Sequence, residues 1–151
     1  MHREILLPRA DGALHSYAPV GDPIDIAPVA PPRSRVAYAA AHVVCDPLAD
    51  NDPTIDADLD WEATLSYRRY LWSLGLSVAE AMDTAQRGMG LGWETSRELI
   101  RHSIAEARAE GAKIACGAGT DHQDPTEVAT LSEIKRGYEE QCAFVEGEGG
   151  V

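Results

Sequence analysis

The chain has 151 residues, about the length of one domain, and 44% of them are hydrophobic. Its 25 acidic residues outnumber 13 Lys and Arg, for a formal net charge of −12. This balance argues against nucleic-acid or anionic-membrane partners, because binding to phosphates needs a basic face. No run approaches the roughly 20 apolar residues of a membrane span, and the first residues do not resemble a secretory signal. We therefore expect a cytoplasmic protein with reduced cysteines.

The first 34 residues predict a β-hairpin followed by a proline-rich lead. Two short apolar runs, at 4–7 and 13–18, flank the sequence Arg-Ala-Asp-Gly. Asp-Gly between apolar runs is typical of a hairpin turn. Five prolines between residues 19 and 34 exclude a helix or a central strand there. We expect this segment to be an appendage to a domain that covers 35–151.

Residues 35–151 alternate between short apolar runs and helical patterns. The predicted strands cover 35–44, 76–82 and 113–116, and the predicted helices cover 60–75, 93–110 and the residues from Thr130 onward. The first strand is predicted to be buried on both faces, because its apolar run is nearly continuous. Helices between short parallel strands act as crossovers. The pattern therefore predicts an α/β fold with a parallel sheet.

Local signals set the ends of the predicted helices. Asp60 can cap the first helix, and Gly75 can end it in the left-handed conformation. Gly111 closes the second helix, and Thr130 with Glu133 forms a capping box for the third.

The burial of two helices is also predicted. The third helix is expected to bury an apolar stripe made of Leu131, Ile134, Tyr138, Cys142 and Val145. On the first helix, the run from Tyr67 to Tyr70, Tyr-Arg-Arg-Tyr, is interpreted as a solvated face or a subunit contact.

Polar residues follow each predicted strand, and parallel strands bring these exits to one edge of a sheet. The exits carry His42, Cys45 and Asp46, then Asp83, Thr84 and Gln86, then Thr120, Asp121 and His122. Three interpretations stay open: solvated or capping loop residues, substrate contacts, or a metal or proton-transfer site. The spacing matches no metal motif. His42, inside an apolar run, suits a hydrogen-bonded core histidine or a substrate contact.

Three stretches carry a resemblance to a known superfamily. They are Pro-Pro-Arg-Ser-Arg-Val-Ala-Tyr-Ala-Ala-Ala-His-Val-Val (31–44), Ala-Met-Asp-Thr-Ala-Gln-Arg-Gly-Met-Gly (81–90) and Ile-Ala-Cys-Gly-Ala-Gly-Thr (114–120). Together with the element order, they resemble the first three units of the dihydrodipicolinate synthase / N-acetylneuraminate lyase superfamily. Residues 33–146 resemble more closely an uncharacterised bacterial branch of dihydrodipicolinate synthase family proteins.

This resemblance implies a partial (β/α)8 barrel and Schiff-base chemistry on an α-keto acid. The superfamily's substrate-carboxylate loop, Gly-Thr-Thr-Gly-Glu, falls on residues 83–87. Thr84 matches its first threonine, whereas Asp83 and Gln86 replace its glycines and Ala85 its second threonine. The carboxylate of Asp83 would repel a pyruvate carboxylate unless Arg87 or a metal offsets it, so a neutral sugar- or polyol-derived carbonyl compound fits better.

The predicted substrate-binding residues are His42, Asp83, Thr84, Gln86, Thr120 and Asp121. No catalytic residue, metal ligand or cofactor is assigned. The two lysines are Lys113, at the start of the third strand, and Lys135, on a helix, and neither suits a Schiff base.

The expectation is therefore an N-terminal fragment of a class I aldolase- or lyase-like enzyme. Its substrate would be a small carbonyl or a keto-acid- or sugar-derived compound. The fragment would be inactive alone, although intact relatives would be homo-oligomeric. The alternative is a small non-enzymatic α/β binding or interaction module.

Overall fold

The computed structural model describes residues 4–18, 20–22, 24–25, 30, 33–52, 57–127 and 130–151. The elements are β1 (Ile5–Pro8), β2 (Leu14–Tyr17), β3 (Tyr38–Ala40), α1 (Trp61–Ser73), β4 (Ser77–Glu80), α2 (Trp93–Ala109), β5 (Ile114–Cys116) and α3 (Leu131–Gly147), with a short 3₁₀ turn at Asp83–Ala85. The predicted α/β class and the order of strands and helices are confirmed.

β1 and β2 form the predicted hairpin. They are antiparallel, with Ile5 opposite Tyr17 and Pro8 opposite Leu14. Gly12 has a φ of +81°, which the turn requires and a glycine adopts without strain. All residues of both strands are exposed, so the hairpin stands apart from the core. The prolines of the predicted lead, Pro19, Pro23, Pro28, Pro31 and Pro32, lie outside the described residues.

The other three strands form a parallel sheet in the order β3-β4-β5. The prediction that 35–44 is a strand buried on both faces is wrong, because only Tyr38–Ala40 is a strand and its central residue alone is half-buried. Among the described residues β3 pairs with β4 alone, and 49% of Tyr38 is exposed. An alanine-rich run satisfies the sequence pattern of a central strand as well as that of an edge strand.

The described helices cover one face of this sheet. Ala39, Val78 and Ile114 occupy paired positions and pack in one cluster with Leu71 of α1. A larger cluster joins α2 to α3, with Leu91, Leu99, Ile100, Ile104 and Val145 among its buried members. The opposite face carries the paired small residues Ala40, Ala79 and Ala115. Within the described residues the sheet is open and one-sided, and none of the helices has the length and apolarity to cross a membrane.

The predicted helix ends are confirmed. Asp60 caps α1, with Oδ1 accepting a hydrogen bond from the Ala63 N–H at 2.9 Å. Gly75 and Gly111 have φ values of +77° and +61°. Thr130 and Glu133 form both halves of the capping box at the start of α3.

Two predictions about buried helix faces are wrong. Of the predicted α3 stripe only Val145 is buried, whereas 81% of Leu131 is exposed and Ile134, Tyr138 and Cys142 also face outward. The helix instead turns Gly137, Gln141 and Val145 inward. On α1, Arg68 is fully buried rather than solvated. In both helices a polar side chain with an internal partner takes the inward position.

Candidate functional site

A buried ion pair fixes the carboxyl end of β4. Arg68 of α1 and Glu80 are both fully buried and form two hydrogen bonds, at 2.7 and 2.8 Å. Arg68 Nη1 also donates to the carbonyls of His42, at 2.7 Å, and Thr64, at 3.0 Å. A guanidinium has five N–H donors in a fixed plane, so it can join two strand exits and a helix at once.

The chain leaves β4 through a strained turn. Ala81 has a φ of +51°, which non-glycine residues adopt only at a cost. Its N–H donates to Glu80 Oε1 at 2.9 Å, so the buried pair also holds this turn. On the neighbouring strand exit, a Cβ atom on Gly117 would lie 2.8 Å from the Ala81 carbonyl oxygen. The close approach of the two exits therefore requires glycine at position 117.

Arg87 joins the same two exits from above. Its Nη1 donates to the carbonyls of Gly117, at 2.6 Å, and Ala81, at 3.3 Å. Its Nε and Nη2 bind the carboxylate of Asp121 at 3.0 and 2.9 Å. The guanidinium lies 5.0 Å from the ring centroid of Trp93, and only 7% of the side chain is exposed. Arg87 is therefore held in place before any ligand arrives.

Gln141 on α3 forms hydrogen bonds to Arg87 and to the exit of β5. Its Oε1 accepts hydrogen bonds from the Gly119 N–H, at 2.6 Å, and from Arg87. Its Nε2 donates to Asp121 Oδ1 at 3.0 Å and to His122 Nδ1 at 2.8 Å. The side chain is fully buried, so the glycine-rich exit of β5 is tied to the helix that follows it.

Two ionisable groups respond to this environment. Burial raises the pKa of Asp121, but hydrogen bonds from Arg87 and Gln141 outweigh it and hold the pKa below its usual value. Burial, with a smaller contribution from Glu80, raises the pKa of the Cys116 thiol to about 12. Asp121 is therefore ionised near neutral pH, whereas Cys116 stays protonated and is a poor nucleophile.

These exits enclose a cleft of about 360 Å³. It is lined by Ala81, Met82, Asp83, Arg87, Gly117, Ala118, Gly119, Thr120, Asp121 and Tyr138. Two carboxylates line the cleft and differ in their surroundings. The carboxylate of Asp121 is paired with Arg87, whereas Asp83 is exposed at the opening. The lining is polar and leaves room for a small molecule at the carboxyl ends of β4 and β5.

The structure brings three of the six predicted substrate-binding residues to this cleft: Asp83, Thr120 and Asp121. Thr84 and Gln86 are exposed on the same loop but do not line it. His42 lies past the end of β3, exposed, with its ring 4.5 Å from that of Tyr67. It is therefore not a core histidine. No group of three or more His, Cys, Asp or Glu in the described residues is arranged to hold a metal ion.

Sequence reasoning missed the residues that organise the cleft. Arg68 lies in the run predicted to be a solvated face or a subunit contact, and Glu80 lies in a predicted strand. Arg87 is predicted only to offset the negative charge of Asp83. Gln141 has one sequence signal, its position midway between Gly137 and Val145 at spacings of four residues. That spacing indicates a shared helix face, but not that the face is inward.

The fold defines an α/β protein with a parallel sheet, and a polar cleft lies at the exits of two of its strands. The chain belongs to the family described as "Protein of unknown function (DUF993)", whose family model matches residues 5–151. The match begins at the first residue of β1, so the hairpin lies within the family region. No curated protein matches the chain.

Proposed function

We propose that this chain forms the first three strand–helix units of a (β/α)8 barrel related to the dihydrodipicolinate synthase / N-acetylneuraminate lyase superfamily. The cleft between the exits of β4 and β5 would form one sector of the substrate site. The reaction class is carbon–carbon bond cleavage or formation through a Schiff base with a small carbonyl compound. In such a barrel the cleft residues of this chain bind and orient the substrate, and a lysine on another strand forms the Schiff base.

The one-sided parallel sheet is the observation that carries the proposal. Parallel sheets are almost always covered on both faces. Here helices pack on the face of Ala39, Val78 and Ile114, whereas the other face carries Tyr38, Ser77 and the small residues Ala40, Ala79 and Ala115 at its paired positions. A closed barrel satisfies this arrangement, because its inner face is covered by the strands opposite. Chemistry then falls at the carboxyl ends of the strands, where the cleft lies.

The charges in the cleft favour an uncharged hydroxycarbonyl substrate over an α-keto acid. Arg87 is engaged by Asp121, so it has no charge left over for a substrate carboxylate. Asp83 adds a negative charge at the opening. Hydroxyl groups can donate to both carboxylates and accept from Thr120, whereas a carboxylate would be repelled.

The Schiff-base lysine is assigned to a strand outside residues 1–151. Lys113 precedes β5 and lines a different cavity, together with Arg35 and Trp72, beside the amino ends of the strands. Lys135 projects from α3 with 74% of its side chain exposed. Neither can reach a carbonyl group held at the strand exits.

Ligand titration of the purified chain tests the binding part of the proposal. Calorimetry with dihydroxyacetone should show saturable binding. Pyruvate should bind at least about tenfold more weakly, since a hydrogen bond to a charged group is worth roughly 1.5–3 kcal/mol and the pyruvate carboxylate cannot donate one to Asp83. Asp83→Asn should narrow that difference by weakening dihydroxyacetone binding and improving pyruvate binding. Asp124→Asn, which changes a carboxylate outside the cleft, is the matched control. Equal affinities, or no effect of Asp83→Asn, would contradict the proposal.

Borohydride trapping tests the chemical part. Incubation of the chain with dihydroxyacetone or pyruvate and borohydride should leave Lys113 and Lys135 without a stable mass addition. A longer member of the family should acquire one adduct, on a lysine at a strand exit. An adduct on either lysine of the present chain would overturn the assignment. Binding without any adduct in the longer protein would favour the non-enzymatic binding module.

A further inference from the structure

A buried amide connects the cleft to a histidine behind it. Gln141 receives donors on its oxygen, from Gly119 and Arg87, and offers its NH₂ group to Asp121 and His122. Two donors on one side, and on the other the Asp121 carboxylate, which can only accept, leave a single favourable orientation of the amide. Because the side chain is fully buried, water cannot replace a partner that is lost.

This orientation determines which protons His122 carries. Nδ1 faces the NH₂ group of Gln141 at 2.8 Å, so it must accept. Nε2 faces a carboxylate oxygen of Glu140 at 3.0 Å, so it carries the ring proton. The network therefore holds His122 as one neutral tautomer.

A second proton on His122 is incompatible with the closed network. It would place a donor on Nδ1 against the NH₂ group of Gln141. Turning the amide over removes that conflict but creates three others: its NH₂ would meet the donors of Arg87 and Gly119, and its oxygen would meet the carboxylate of Asp121. The proton is accommodated when Gln141 moves away from these partners and its contact with His122 opens.

We propose that His122 is a proton-operated switch of the cleft. Protonation releases Gln141 from Gly119 and Arg87 and opens the β5 exit loop, residues 117–121, which lines the cleft. Because protons bind the open form better, acidification shifts the population towards it. The switch depends only on the network, so it is independent of which ligand the cleft takes.

The groups around His122 allow it to accept the charge. Glu140, which faces Nε2, also lies 3.6 Å from Arg136 on the same helix. From α2, the Trp93 ring lies 5.8 Å from the imidazole. The adjacent cavity is lined by His122, Gln123, Asp124, Glu127, Glu133 and Arg136. The carboxylate of Glu140 can hold the protonated ring in place while Gln141 moves.

Nuclear magnetic resonance of the full chain between pH 8 and 5, the range in which imidazoles titrate, tests the switch. The amide of Gly119 and the Nε–H of Arg87 should shift with the same midpoint as the His122 ring. Amide exchange of Gly119, corrected for the intrinsic pH effect, should accelerate by roughly tenfold or more on the acid side. Resonances of Gly119 that do not follow His122 would overturn the proposal.

Two variants make this test specific. His122→Phe, which keeps a ring beside Trp93, should abolish the pH response of Gly119. His102→Phe is the matched control, because His102 packs on Trp61, 5.0 Å away, and is not in the network. A response that persists in His122→Phe, or one that His102→Phe also abolishes, would contradict the switch.

Discussion

Two arginine–carboxylate pairs lie near the same strand exits, and they differ in what surrounds them. Arg68 and Glu80 have no exposed side-chain surface, and their remaining hydrogen bonds involve backbone groups of α1, the turn after β4 and the segment after β3. Arg87 and Asp121 form a pair of the same geometry, but 20% of the Asp121 side chain is exposed and both residues line the cleft.

The difference separates a structural role from the role that we propose in ligand binding. A buried pair is costly to create and far more costly to break, because removing one partner leaves a charge that water cannot reach. A pair at the wall of a cleft is partly exposed, so the loss of one partner leaves a charge that water still reaches. We therefore assign Arg68 to holding the exits together and Arg87 to shaping what the cleft accepts.

The largest expected effect is the loss of stability when the buried pair of Arg68 and Glu80 is broken. Arg68→Met should lower the free energy of unfolding by about 3–5 kcal/mol, because it leaves Glu80 charged and buried. Arg69→Met is the matched control. The Arg69 side chain is 31% exposed in its ion pairs, so its removal should lower the free energy of unfolding by about 1 kcal/mol or less. Urea denaturation measures both. Equal losses in the two variants would mean that the buried pair has no special role.

A double substitution sharpens the same point. Arg68→Met combined with Glu80→Leu removes both charges and should recover at least about half of the stability lost in Arg68→Met, since no unpaired charge remains buried. A double variant less stable than the single variant would show that the hydrogen bonds to the backbone, rather than the charge pair, carry the effect.

Arg87→Met should have a smaller effect on stability and a larger one on binding. Its loss leaves the carbonyls of Ala81 and Gly117 without their donor, at a cost of about 1–3 kcal/mol, while Asp121 can still be hydrated from the cleft. Denaturation and dihydroxyacetone titration should therefore rank Arg68→Met and Arg87→Met oppositely among variants that fold. The same ranking by both measurements would contradict the assignment of Arg68 to stability and Arg87 to binding.

Gly117→Ala tests the close approach of the two exits. The added methyl group would lie 2.8 Å from the Ala81 oxygen and from Met82 Sδ, and displacing them should cost about 1–3 kcal/mol. Gly147→Ala meets no atom within 4 Å and should be neutral or slightly stabilising in α3. Thermal unfolding measures the stability of both variants. If Gly117→Ala is as stable as Gly147→Ala, the two exits do not require glycine at position 117.

The smallest expected effect concerns acid. The pKa of Asp121 is lowered in the folded protein, so its contribution to stability is complete above about pH 4 and disappears as the pH falls through that lowered value. The stability difference between the wild type and Asp121→Asn should therefore shrink between about pH 5 and pH 2. A difference that stays constant over this range would show that the carboxylate is not stabilised by Arg87 and Gln141.

The sequence allowed the elements of the fold to be predicted because their signals are local. Asp60, Gly75, Gly111 and the Thr130–Glu133 box act within one turn of helix, and each was found where predicted. α2 buries Leu99, Ile100, Ile104 and Ala107, which repeat at helical spacing, together with Ser96 and Ser103.

The organisation of the cleft could not be predicted because it depends on partners distant in sequence. Arg68 is buried only because Glu80 lies 12 residues away in a neighbouring strand, and Gln141 is buried because it meets Arg87, 54 residues earlier. A single sequence shows each residue as polar and gives no indication of its partner. Asp83, Thr120 and Asp121 were found because parallel strands place their exits together whatever the side-chain details.

The most direct test of the central claim is to locate the ligand on the folded chain. Amide resonances should be followed by nuclear magnetic resonance during titration with dihydroxyacetone at constant pH. The account predicts saturable shifts at Asp83, Gly119 and Thr120, with little change at Arg35 and Lys113 around the opposite cavity. Shifts confined to Arg35 and Lys113, or none that saturate at the strand exits, would contradict it.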